Sequence, residues 1–205
     1  IDADLTSATS GDIAITSSSG ALTIADAKTF TSAGALTINS ASVSSTAATL
    51  STAGLITVSG AWTATGAISM TSSANGITLN NDVTLNGSGK NLVLSAKTAD
   101  NAGTITLAHV SQTLSASGDV TIGCHTMAST QAATITANTA LALTVTGTYA
   151  ATGGNMALTS TTSTININGD FRPESERFPV NDPAKHPDKQ SLVCRVPNGL
   201  QRPGV

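Results

Sequence analysis

Seven aspartates and one Cys-His pair are the residues of this chain that could carry chemistry. Asp2, Asp4, Asp12, Asp26, Asp82, Asp100 and Asp119 punctuate its first part, and Cys124 adjoins His125. Two carboxylates facing one cleft would supply a general acid and a general base. Asp12, Asp82, Asp100 and Asp119 instead adjoin Gly or Asn at the edges of short apolar segments, where aspartate makes turn hydrogen bonds. Cys124 and His125 could join His109, His186 or Cys194 around a metal, but their spacing fits no zinc template. Alternation from Val120 through Ile122 turns the Cys124 thiol inward among aliphatics and His125 outward. A Cys124–Cys194 disulfide would require that alternation to break near Gly123. Serine is abundant, with no Gly-x-Ser-x-Gly elbow and no phosphate-binding loop. The sequence therefore assigns no catalytic, cofactor-binding or metal-ligating residue, and a protein that is not an enzyme is expected.

The element that would hold these residues is a repeat. A Gly, one spacer and two aliphatics flanking a small polar residue recur as Gly11-Asp-Ile-Ala-Ile, Gly20-Ala-Leu-Thr-Ile, Gly34-Ala-Leu-Thr-Ile, Gly54-Leu-Ile-Thr-Val and Gly66-Ala-Ile-Ser-Met. Later copies begin at Gly103, Gly118 and Gly154. Strand geometry sends the two aliphatics to one face and the residue between them to the other. Each phrase thus reads as a short strand bounded by a turn. Burying two or three aliphatics, at roughly 1.5–3 kcal/mol each, does not offset ordering the backbone at about 1–2 kcal/mol per residue. Stacked neighbours must supply the rest. The predicted fold is all-β, a single-stranded β-solenoid over residues 1–169, of about seven or eight coils with a period of roughly 20–24 residues and two or three strands per coil. A β-sandwich shares some of the turn spacings, but its core normally packs large aromatics, and Phe30, Trp62, Tyr149 and Phe171 are all that the tract and its border offer.

Composition agrees with a thin aliphatic interior. Of 205 residues, 40% are hydrophobic but only 2% aromatic and 10% charged, against about 25% charged in ordinary domains. A formal net charge of −3 with no basic stripe argues against a nucleic-acid partner. No apolar run is long enough for a membrane-spanning helix. The opening at Ile1, with Asp2 and Asp4, lacks the pattern of a signal peptide and reads as a mature or excerpted product.

All six prolines lie between Pro173 and Pro203, and all four arginines follow residue 170. Residues 170–205 are thus a charged, Pro-rich and largely irregular tail. One reading is a solvated terminus. The other makes Leu192, Val193, Arg195 and Val196, around Cys194, a strand that covers the end of its own rod or clasps a neighbouring molecule.

The Gly-x-Leu-Thr-Ile phrases with Ser/Thr/Ala/Asn filler, from Gly11 to Asp170, resemble the β-solenoid repeats of large secreted surface proteins of the filamentous-haemagglutinin-like adhesin and autotransporter-passenger type. That resemblance implies an extracellular or cell-surface location and a non-catalytic structural role in a fibre or adhesin stalk. Self-association as a homo-oligomer or filament, through the ends and the tail, is the partner expected. The sequence identifies no glycan or other surface ligand. A different class of function rests on threonine pairs. Thr104 and Thr106, Thr134 and Thr136, and Thr144 and Thr146 each flank an inward apolar residue. Outward ranks of this kind resemble the ice-binding surface of antifreeze solenoids, although threonine also simply favours exposed strand positions. A polysaccharide lyase or hydrolase would need charged and aromatic residues along a face. The repeat tract has three lysines, no arginine and one tryptophan.

Overall fold

A computed structural model describes residues 1–18, 20–96, 103–147, 149–151, 156–168 and 190–194. The chain is an all-β solenoid of about seven turns, and three strands make up each full turn. Face 1 is built from the first halves of β3 (Ala21–Ser32) and β5 (Ser42–Thr52), then β7 (Ala61–Ala64), β10 (Val83–Leu85), β13 (Gln112–Ala116), β16 (Ala133–Ala137) and β19 (Met156–Ser160). Face 2 comprises β1 (Leu5–Ser7), the second halves of β3 and β5, β8 (Ile68–Ser72), β11 (Leu92–Ala96), β14 (Val120–Cys124), β17 (Leu141–Val145) and β20 (Ile165–Asn168). Face 3 comprises β2 (Ile13–Thr16), β4 (Leu36–Asn39), β6 (Ile56–Val58), β9 (Ile77–Leu79), β12 (Thr104–Leu107), β15 (Thr126–Ser129) and β18 (Tyr149–Ala151). All of these pair in parallel. The exception among the described residues is β21 (Gln190–Cys194), which lies antiparallel to β19.

The repeat phrase explains the register. Its two aliphatics point inward, so each coil sets them over the same positions of the coil before. On face 2, Phe30, Leu50, Met70 and Leu94 form one such column and are completely buried. Trp62 takes the matching place on face 1, between Val43 and Val83. In the second and third coils one long strand turns the corner between faces 1 and 2. The register shifts there between Ile24 and Ala27, with Asp26 at a φ of 56°. Later coils break that strand into two.

The corner between faces 2 and 3 is held differently. Ser32, Thr52 and Ser72 stack inward there and donate to turn carbonyls: Ser32 to Gly11 and Ala35, Thr52 to Gly34, and Ser72 to Gly54. The turn backbone stacks as well, Gly34 N–H donating to Gly11 (3.0 Å) and Gly54 N–H to Gly34 (2.9 Å). A Cβ at Gly54 would lie 2.6 Å from the Gly34 oxygen, so glycine is needed for this close approach.

Coil length varies more than the expected period allowed. Trp62 follows its partner Val43 by 19 positions, whereas Leu114 follows Val83 by 31. Corner loops absorb the surplus, one of them at Ala108–Ser111. There Gln112, fully buried, accepts from His109 N–H (3.1 Å) and donates to the Asn81 carbonyl (2.6 Å). Loops at corners leave the stacked ladders intact, so their length is weakly constrained.

Candidate functional site

Four of the aspartates hold turns. Asp4 accepts from Thr29 N–H (2.8 Å), Asp12 from Ala35 N–H (2.7 Å) and Asp82 from Thr113 N–H (2.7 Å). Asp119 accepts from Thr139 Oγ1 (2.5 Å) and Ala140 N–H (3.0 Å), which hold its carboxyl below the usual aspartate range. Each carboxylate therefore ties its turn to the next coil. Asp2 and Asp26 are exposed, and Asp100 lies outside the described residues.

Cys124 is buried and unpaired, and burial pushes its thiol up to about 11. It stands on face 2 between Ala96 and Val145, while Cys194 pairs with Met156 on face 1, so the Cys124–Cys194 disulfide is not formed. His125 packs on Gly147, with its Nδ1 3.2 Å from Thr146 Oγ1. His109 Nδ1 is buried without a hydrogen-bond partner among the described residues. No cluster of three His, Cys, Asp or Glu side chains occurs among those residues. His186 lies outside them.

The six threonines expected to share one surface do not. Thr104 and Thr106 are on β12 of face 3, Thr134 and Thr136 on β16 of face 1, and Thr144 on β17 of face 2 with Thr146 just beyond its end. Each pair is carried by a different face, so together they form no plane.

The hydroxyl ranks that do exist are read across coils. On face 1, Thr23, Ser44, Thr63, Thr84, Ser115, Thr136 and Thr159 form one unbroken column. On face 3, Thr37, Thr57, Thr78 and Thr106 do the same. On face 2 two columns run side by side, Thr29, Thr49 and Ser69 beside Thr6, Thr31, Ser51, Thr71 and Ser95. Within the face 2 array no hydroxyl bonds to another protein group among the described residues, whereas Ser44 Oγ on face 1 donates to Thr23 Oγ1 (3.3 Å). Thr pairs alone did not reveal these ranks. Counting Ser with Thr and aligning on the inward aliphatic would have.

The described strand edges are the other candidate surface. At one end Leu5, Ile13, Ile15 and Leu22 are only partly buried, and at the other Ile165 and Ile167. Leu192 and Val193 lie in β21, opposite Leu158 and Ala157. Arg195 and Val196 lie outside the described residues. No helix among the described residues is long and apolar enough to cross a membrane. No family model, curated protein or solved structure matches the chain.

Proposed function

We propose that this chain is a non-catalytic, extracellular structural rod, a β-solenoid subunit of a surface fibre or adhesin stalk that assembles through its ends and tail. One observation carries the reading. Among the described residues the parallel ladders run the length of the body and stop at edges whose inward aliphatics, Ile13 and Ile15 on β2 and Ile167 on β20, are incompletely covered. Unpaired N–H and C=O groups on such edges template another strand, and covering apolar side chains adds roughly 25 cal/mol per Å². A concentration series by light scattering, with electron microscopy of the same samples, tests it. Mass should rise with concentration and rods longer than one body should form. A folded protein that stays monomeric at high concentration contradicts it.

A second reading, ice binding, is favoured by the paired ranks on face 2. Strand spacing of about 4.8 Å, with alternate residues about 6.6 Å apart along each parallel strand, sets Thr29–Thr31, Thr49–Ser51 and Ser69–Thr71 in a regular grid. Its hydroxyls are free to bond ordered water. Phe30 and Trp62 are buried, so neither offers a sugar a stacking platform. Thermal hysteresis tests this reading. Thr49→Tyr should abolish ice shaping while Thr136→Tyr on face 1 preserves it, and folded protein without hysteresis ends the idea.

A further inference from the structure

The last described coil is finished differently on its separate faces. On face 1 the outer edge of β19 carries β21, in the register Met156 with Cys194, Leu158 with Leu192 and Ser160 with Gln190. On face 2 no strand lies beyond β20 among the described residues. Burial follows this difference. Met156, Leu158 and Ser160 are buried, at 1%, 0% and 1% exposure, while Ile165 and Ile167 of the same coil are only partly covered. The sense of pairing differs as well. Elsewhere the ladders continue in parallel, with evenly spaced slanted bonds, and β21 closes face 1 with an antiparallel strand.

An assembling copy that continued the solenoid would need the outer edge of β19 for its own face 1 strand, and β21 occupies that edge. We propose that β21 is a removable cap that gates end-to-end assembly, competing with the first coil of a second copy for the outer edge of β19. The inference rests on the assembly proposed above and adds its control element. The pairing is five residues long, and residues 169–189 connect it to β20. A pairing of only five residues is suited to exchange rather than permanent closure.

A reversible lock tests the gate in the full chain. Ala157 and Val193 are register partners, so Ala157→Cys with Val193→Cys, in a Cys194→Ser background, allows a disulfide that fastens β21 to β19. Met156→Cys with the native Cys194 is a second lock at a neighbouring pair. Buried Cys124 is left in place. Leu192→Pro serves as the opposite variant, since proline removes a ladder donor from β21. Oxidised protein should migrate as a monomer with an intrachain bond and remain unassembled. Reductant should restore association, and Leu192→Pro should associate at a concentration several-fold below that of the unmodified chain. Intrachain-locked protein that assembles as fully as reduced protein overturns the cap, as does a disulfide that forms only between chains. If the unmodified chain and Leu192→Pro both stay monomeric, the assembly reading itself fails.

Discussion

Trp62 Nε1 donates a 2.8 Å hydrogen bond to Ser45 Oγ in the preceding coil, and both residues are buried. The register sets Trp62 over Val43 and Ala64 over Ser45, so the indole reaches diagonally past its own column to find a partner. The largest side chain of the interior is thereby accommodated beside a serine and an alanine. A thin solenoid can hold one indole because its neighbours are small and one of them is polar.

Ser45→Ala should cost about 1–3 kcal/mol, the usual penalty for a buried donor left without a partner. Urea unfolding should show a lower midpoint at unchanged slope. Ser44→Ala, on the outward side of the same strand, should stay within about 0.5 kcal/mol.

Gly54→Ala should destabilise through contact rather than through loss of conformational freedom. The new Cβ would meet the Gly34 carbonyl, which is itself fixed by the stacked turn. About 1–3 kcal/mol is the expected loss. Gly89, where nothing lies within 4 Å but φ is +64°, should suffer only the strain of a left-handed residue.

Cys124 should be inert in the folded protein. Its thiol is pushed up to about 11 by burial, so thiolate is scarce at neutral pH. Alkylation at pH 8 should require unfolding, followed as mass added per chain. Because the folded pKa is raised from 9.0, this group favours folding fully below pH 9.0, and its contribution is lost as pH rises toward about 11.

Asp119 should make the fold acid-sensitive in the opposite sense. Thr139 and Ala140 lower its folded pKa, so its contribution is present above the ordinary aspartate value of 3.8 and lost as pH falls below that value through the folded pKa. Asp119→Asn should flatten the acid limb of a stability–pH curve, and an unchanged limb would remove this carboxylate from the account.

Much of the fold was legible in the sequence because the repeat phrase and the strand are nearly the same object. Gly34-Ala-Leu-Thr-Ile becomes β4, and Gly118-Asp-Val-Thr-Ile opens β14, each with its two aliphatics buried. Alternation placed Cys124 inward correctly. Coil length was less legible. Within the 31 positions from Val83 to Leu114, the turns at 86–91 and Ala108–Ser111 bury no hydrophobic side chain and so leave no periodic signal. The hydroxyl ranks were less legible for a related reason. Thr134 and Thr144 are ten positions apart in sequence yet stand on different faces, whereas Thr49 and Thr29, 20 apart, are neighbours in the ladder.

Oriented fibre diffraction of concentrated protein tests the end-to-end rod most directly. If copies stack through their strand edges, filaments should give a reflection near 4.8 Å along the filament axis, because coil follows coil in that direction across the junctions. A 4.8 Å reflection perpendicular to the axis, or a folded sample that yields no filaments at all, would contradict the account.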